Sequence, residues 1–69
     1  MDLPEHFPAG TEFANALGVP VSLTRDGACL AWDGLQPRRF HYSSFLNGTP
    51  IDEMSFRALV ARTRSSAEG

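Results

Sequence analysis

The feature that most constrains the fold of this chain is an Asp-Gly pair at positions 26–27, flanked on both sides by apolar runs. Asp-Gly between such runs is typical of a two-residue type I′ hairpin loop, because both central positions of that turn need positive φ. A two-residue loop fixes the register of its strands. The resulting register pairs Val21 with Trp32. It also pairs Leu23 with Leu30, and all four side chains are predicted to share one face.

The opposite face of this hairpin is predicted to be bare, since it carries only Ser22, Thr24, Cys29 and Ala31. Small residues there would let another sheet or helix approach closely. Alternatively, the N-terminal segment folds back and covers this face with Leu3 and Phe7. The second interpretation is simpler because it needs no second chain.

A short N-terminal helix and a third strand are predicted on either side of the hairpin. Thr11 is a favourable N-cap for a helix over residues 12–17, and Gly18 suits the position after its end. The third strand covers residues 38–44, where Phe40 and Tyr42 alternate with polar residues. These two rings are expected to extend the face of the hairpin that carries Trp32.

The C-terminal helix has two competing start signals. Thr49 can open a capping box, or Asp52 can be the N-cap while Ile51 packs on Phe56 as a hydrophobic staple. We favour Asp52, because this start leaves a single apolar stripe at helical spacing. The stripe consists of Phe56, Leu59, Val60 and Thr63.

Together these elements predict an α+β fold in the order α-β-β-β-α, with a three-stranded antiparallel meander packed against the C-terminal helix. Residues 1–69 are expected to form a single small domain. Residues 1–10 are predicted to be an extended arm, and residues 65–69 a frayed tail.

Composition argues against several classes of protein. The single cysteine, Cys29, excludes an internal disulfide, and no Cys/His spacing typical of a zinc site is present. No apolar run approaches the ~20 residues of a membrane span, and the first ten residues lack the features of a signal peptide. We therefore expect no membrane partner and a cytoplasmic location, which one unpaired cysteine also fits.

The short length of the chain favours self-association. A single core of this size supplies roughly 3–5 kcal/mol of net stability. Chains this short usually gain support from disulfides, a metal or a partner subunit. Since the sequence indicates neither of the first two, we expect a homo-oligomer.

No grouping of residues typical of catalysis is present. The imidazole and thiol groups are limited to His6, His41 and Cys29. The acidic residues near the motifs have predicted duties in turns or at the helix start: Asp26, Asp33, Asp52 and Glu53. No carboxylate pair is left for acid–base chemistry, and no glycine-rich loop is present to hold phosphates. We therefore expect neither an enzyme nor a cofactor or metal site.

Two sets of residues are candidates for binding. Interfaces are enriched in Trp, Tyr and Arg, so the candidate protein interface is Trp32, Arg39, His41 and Tyr42. The second set follows from charge, because residues 38–64 hold five arginines against two acidic residues. The candidate polyanion contacts are Arg38, Arg39, Arg57, Arg62 and Arg64.

Two hypotheses for function follow. The first is a non-catalytic protein-interaction module, an accessory or regulatory subunit that self-associates. The alternative is a small nucleic-acid-binding regulator that uses the five arginines of residues 38–64. Steep loss of binding with salt would distinguish the second from the first.

Overall fold

The computed structural model describes residues 3–34 and 36–68 of the chain, with side chains described up to Ser65. Its strands are β1 (Glu12–Ala16), β2 (Val19–Leu23), β3 (Cys29–Ala31), β4 (Arg38–Arg39) and β5 (Thr49–Ile51). Its helices are α1 (Tyr42–Leu46) and α2 (Glu53–Glu68). The strands form one antiparallel sheet in the order β4-β3-β2-β1-β5. The predicted α+β class, with an antiparallel sheet and a C-terminal helix, is confirmed, although the described part of the chain holds five strands and not three.

The central hairpin is present, but its register differs by one residue from the predicted one. Val21 pairs with Ala31, because the loop at positions 25–27 has three residues and not two. The N–H of Gly27 donates to the carbonyl of Thr24 at 3.0 Å, and Gly27 has φ +94°. A turn closed in this way and followed by a left-handed glycine is the usual three-residue hairpin loop.

The shifted register places Val21 and Trp32 on opposite faces of the sheet, so the predicted shared face is wrong. One face, here called the small-residue face, buries the cluster Ala14, Ala16, Val21, Cys29, Ala31 and Phe45. The other, here called the aromatic face, buries Phe13, Trp32, Phe56 and Val60. Cys29 and Ala31 do lie opposite Trp32, as predicted. Phe40 packs against the small-residue face, contrary to the prediction.

The segment predicted as the first helix is strand β1. Its side chains alternate between the faces, with Phe13 on the aromatic face and Ala14 on the small-residue face. A two-residue loop joins β1 to β2, and both of its residues have positive φ, +54° at Leu17 and +89° at Gly18. The side-chain oxygen of Asn15 accepts a hydrogen bond from the N–H of Gly18 at 2.6 Å. Six residues are too few for a persistent isolated helix, so pairing with β2 and β5 decides the conformation.

The predicted third strand is cut short, because the chain leaves the sheet after Arg39 and forms α1. Phe45 of this helix is buried against the small-residue face. Gly48 packs closely against β1, since a Cβ there would lie 3.1 Å from the carbonyl oxygen of Asn15. Helix α1 thus covers the face that the N-terminal arm was expected to cover.

Helix α2 begins as the preferred prediction states. The N–H of Ser55 donates to Oδ1 of Asp52 at 2.7 Å, and this bond lowers the pKa of Asp52. Ile51 packs on the cluster that contains Phe56, and Thr49 lies in β5. Along the predicted stripe Phe56, Leu59 and Val60 are buried and Thr63 is half-buried. The helix runs to Glu68 through most of the segment expected to fray, and Gly69 lies outside the described residues.

The N-terminal arm folds onto its own chain but covers the aromatic face and not the small-residue face. Leu3 and Phe7 pack against the cluster formed by Phe13, Trp32 and Phe56. The aromatic face is therefore covered by the arm and α2 together, while α1 covers the other side of the sheet.

A buried hydrogen bond joins two strands on the aromatic face and leads to our first prediction. Nε1 of Trp32 donates to Oγ of Ser22 at 2.8 Å, and Ser22 is 1% exposed. Ser22→Ala leaves the indole N–H unsatisfied, so we expect the free energy of unfolding to fall by about 1–3 kcal/mol in urea denaturation. Ser22→Ala combined with Trp32→Phe should lose less than the sum of the single losses. Additive losses would show that this bond is not formed.

Candidate interaction surface

The structure removes Trp32 from the candidate protein interface. Its side chain is 4% exposed and lies under the arm. Its one polar atom is already bonded to Ser22. The sequence placed Trp32 in an interface by residue type alone, whereas its side chain belongs to the core on the aromatic face.

The other three candidates, Arg39, His41 and Tyr42, are exposed where β4 leads into α1. Tyr42 is 55% exposed and its ring stacks on Phe45 at 6.4 Å between centroids. Phe45 is buried, so the position of the tyrosine ring is held from beneath. This segment therefore presents one phenol ring, one guanidinium and one imidazole to solvent.

Arg38 is among the candidate polyanion contacts that are engaged within the chain. The guanidinium of Arg38 donates to both carboxylate oxygens of Asp33, at 3.1 and 2.9 Å. It also lies 5.6 Å from the ring centroid of Phe40. These hydrogen bonds lower the pKa of Asp33 and raise the pKa of Arg38.

Arg57 makes more contacts within the chain than Arg38 does. Its Nε donates to Glu53 at 2.9 Å, and Nη2 donates to the carbonyls of Pro4 and Glu5 at 2.9 Å each. Its guanidinium also lies 5.2 Å from the ring centroid of Phe7. Arg57 therefore holds the arm and is not presented to an external polyanion.

The remaining arginines of the set lie on two different elements. Arg39 is exposed on β4, Arg62 is exposed on α2, and Arg64 is half-buried on α2. The five residues that the charge count groups together are thus divided between internal contacts and separate parts of the surface.

Sequence reasoning missed the most exposed apolar side chains near α1. Leu17 at the tip of the β1–β2 hairpin is fully exposed, and Leu46 of α1 is 61% exposed. Tyr42 and Leu46 are four residues apart and lie on one side of α1. We call these three residues the α1 surface. A Leu-Gly pair between two short apolar runs is the signal that could have identified the hairpin tip.

A depression of about 340 Å³ joins the hairpin tip to α1. It is lined by Ala16, Leu17, Phe40, Ser44, Asn47 and Gly48. The protruding leucine and a concave site therefore lie side by side. Two further depressions, of about 390 and 590 Å³, meet at Gly27 and Tyr42.

The chain segments that build the α1 surface contain no charged residue. Residues 13–24 cover β1 after its first residue, Glu12, together with the hairpin tip and β2. Residues 42–51 cover α1 and β5, and neither range holds Asp, Glu, Lys or Arg. Depletion of charge is the compositional signal of the centre of a protein interface.

Cys29 is buried at the small-residue face, and burial raises the pKa of its thiol. A raised pKa disfavours the thiolate that nucleophilic chemistry needs. Within residues 3–34 and 36–68, no three His, Cys, Asp or Glu side chains come together in a group that could hold a metal ion. Nor does this part of the chain contain a helix long and apolar enough to cross a bilayer.

Comparisons of the chain with protein-family models, with curated proteins and with solved structures found no match.

The Arg38–Asp33 pair leads to a prediction about pH. Because the pKa of Asp33 is lowered in the folded state, the pair stabilises the fold above the ordinary carboxyl range, and this contribution is lost as the pH falls through the folded-state pKa. Arg38→Ala should raise the pKa of Asp33 toward the ordinary carboxyl range in an NMR titration, because the guanidinium that lowers it is removed. The control Arg39→Ala should leave that titration unchanged. An Asp33 titration unaffected by loss of Arg38 would contradict the assignment.

Proposed function

We propose that this protein is a non-catalytic protein-interaction module that self-associates through the α1 surface and serves as an accessory or regulatory subunit. The observation that carries the proposal is Leu17, a large apolar side chain that is fully exposed on strained backbone. Its compartment, on this proposal, is the cytoplasm, where a buried unpaired thiol such as that of Cys29 is stable.

The backbone at Leu17 makes this residue costly for the fold. A non-glycine residue in the left-handed region costs roughly 1–2 kcal/mol, and Asn or Gly is usual at this position of a type I′ turn. Full exposure of the side chain means that no burial within the chain offsets that cost. Such local strain is common where a residue serves binding.

A second copy of the chain is the partner that the geometry of the α1 surface favours. In a two-fold symmetric pair the same patch faces itself, so a protrusion needs a matching hollow within that patch. Leu17 protrudes, and the 340 Å³ depression lies directly beside it. Leu17 of one copy would thus enter the depression of the other.

Association through the sheet edges is a weaker route. At one edge β4 has two residues, both arginines, and at the other β5 contains Pro50, which has no N–H to donate. Short, charged or proline-bearing edge strands oppose the addition of another strand. The two copies would therefore meet through side chains and not by extending the sheet.

Substitutions on the α1 surface test the proposal. Leu46→Ser should raise the apparent dimer dissociation constant by about tenfold or more in analytical ultracentrifugation, because a buried leucine contributes roughly 1.5–3 kcal/mol. Leu17→Asn should weaken the dimer similarly, yet raise the stability of the monomer by about 1 kcal/mol. Met54→Ser is the matched control, since Met54 is 82% exposed on α2. A wild-type chain that stays monomeric at millimolar concentration would sink the proposal.

A second candidate function is binding of single-stranded nucleic acid. It is favoured by the exposed ring of Tyr42, which lines both of the depressions that meet there. Arg39 lines one of these depressions and Arg25 lines the other. Cations that flank an exposed ring suit a nucleic-acid strand, whose bases stack on aromatics while its phosphates pair with arginine.

Mobility shift with a labelled single-stranded oligonucleotide tests this second candidate. Binding should weaken steeply between 50 and 200 mM salt and should be lost in Arg39→Ala or Tyr42→Ala. Arg38→Ala serves as the control, because Arg38 is already bonded to Asp33. Absence of a shift at low salt would exclude this function.

A further inference from the structure

The N-terminal arm is seated in the aromatic face in the manner of a bound peptide. The ring of Phe7 makes edge contacts with three other rings, at 5.1 Å from Phe13, 5.6 Å from Phe56 and 6.0 Å from Trp32. Leu3 packs on the same cluster. The arm therefore supplies one aromatic and one aliphatic anchor to a groove made by the rest of the chain.

Arg57 fixes the backbone of the arm in this groove. Its guanidinium donates to two successive carbonyls, those of Pro4 and Glu5, and lies against the ring of Phe7. Glu53 orients the guanidinium from the preceding turn of α2. This is recognition of an extended main chain by a side-chain fork, and it does not depend on the arm belonging to the same molecule.

The connection between the arm and the sheet is a single tight turn. The N–H of Thr11 donates to the carbonyl of Pro8 at 3.2 Å, and Gly10 has φ +84°. A Cβ at Gly10 would lie 2.3 Å from Cδ of Arg25. Only glycine fits this turn without strain, so the folded-back path of the arm depends on one residue.

We propose that the groove on the aromatic face is a binding site for the arm of a second copy of this chain, and that two copies exchange residues 3–8 when the turn at Gly10 opens. The occupant follows from the structure, because the arm already shows the chemistry that the groove accepts: Leu3, Phe7 and two main-chain carbonyls. In the exchanged pair each groove is completed by the partner, and its contacts are those seen within one chain.

Whether two copies exchange arms depends on the conformational strain in the turn at Gly10 and on the protein concentration. A short tether gives the arm of the same chain an effective concentration near millimolar, which favours the closed monomer. Strain placed in the turn removes that advantage, since an exchanged arm leaves its hinge free to adopt another conformation. This site lies on the face of the sheet opposite α1, so it goes beyond the proposed function and is separable from it.

The experiment places a side chain at the hinge and measures association by light scattering from 10 µM to 1 mM. It is performed in the Leu46→Ser background, in which association through the α1 surface is weakened, and all variants are compared within that background. Gly10→Ala should lower the dimer dissociation constant roughly tenfold or more, because two strained hinges are relieved per dimer. Gly27→Ala is the matched control, since Gly27 also has positive φ but its Cβ would meet nothing within 4 Å.

A second substitution shows whether the arm mediates the dimer. Adding Phe7→Ala to Gly10→Ala should return the protein to a monomer, because the arm loses its anchor. If Gly10→Ala alone does not fold, Gly10→Ala with Arg25→Ala keeps the φ strain and removes the collision, and the same outcomes apply. A hinge variant no more dimeric than Gly27→Ala, or a dimer indifferent to Phe7→Ala, would overturn the proposal.

Discussion

The structure depends on the hydrogen bonds that close the loop between β2 and β3. The N–H of Gly27 bonds to the carbonyl of Thr24, and the N–H of Thr24 bonds to the carbonyl of Ala28. These two bonds give the loop three residues and set the register of every pair beyond it. Because side chains alternate along a strand, that register sends Trp32 to one face and Val21 to the other. The two cores, and the elements that cover them, follow from this assignment.

Those parts of the fold that rest on local chemistry were predictable from the sequence. Asp52 and the stripe after it mark the start and the buried side of α2, because a cap and its hydrophobic staple act within one turn. The hairpin itself was also predictable, but its register was not. An Asp-Gly pair fits a two-residue loop as well as a three-residue loop, and the choice depends on packing against distant elements. The conformation of residues 12–17 was not predictable for the same reason, since their local sequence pattern carries no information about pairing with β5.

The candidate binding residues also divide into those whose exposure follows from local sequence and those whose contacts depend on distant elements. Exposure of Arg39 and His41 agrees with their predicted place on the outward face of a strand. Tyr42 was expected to extend the face that carries Trp32 and instead lies exposed on α1, so that expectation is wrong. Burial of Trp32 depends on the arm and α2, which cover the aromatic face, and engagement of Arg57 depends on an arm more than fifty residues away in sequence. Charge counts cannot reveal which arginines are already bonded. Leu17 was overlooked because a helix was predicted for residues 12–17, whereas Leu17 lies at a hairpin tip.

The two edge strands of the sheet, one short and charged and the other bearing a proline, affect how copies of the chain could assemble. A sheet that can accept strands at its ends can grow without limit into fibrils, and a chain rich in apolar strands carries that risk. Here the arginines of β4 and Pro50 of β5 stop growth in both directions. Fibril growth by strand addition is thereby disfavoured at both ends of the sheet, so the proposed self-association would give discrete complexes.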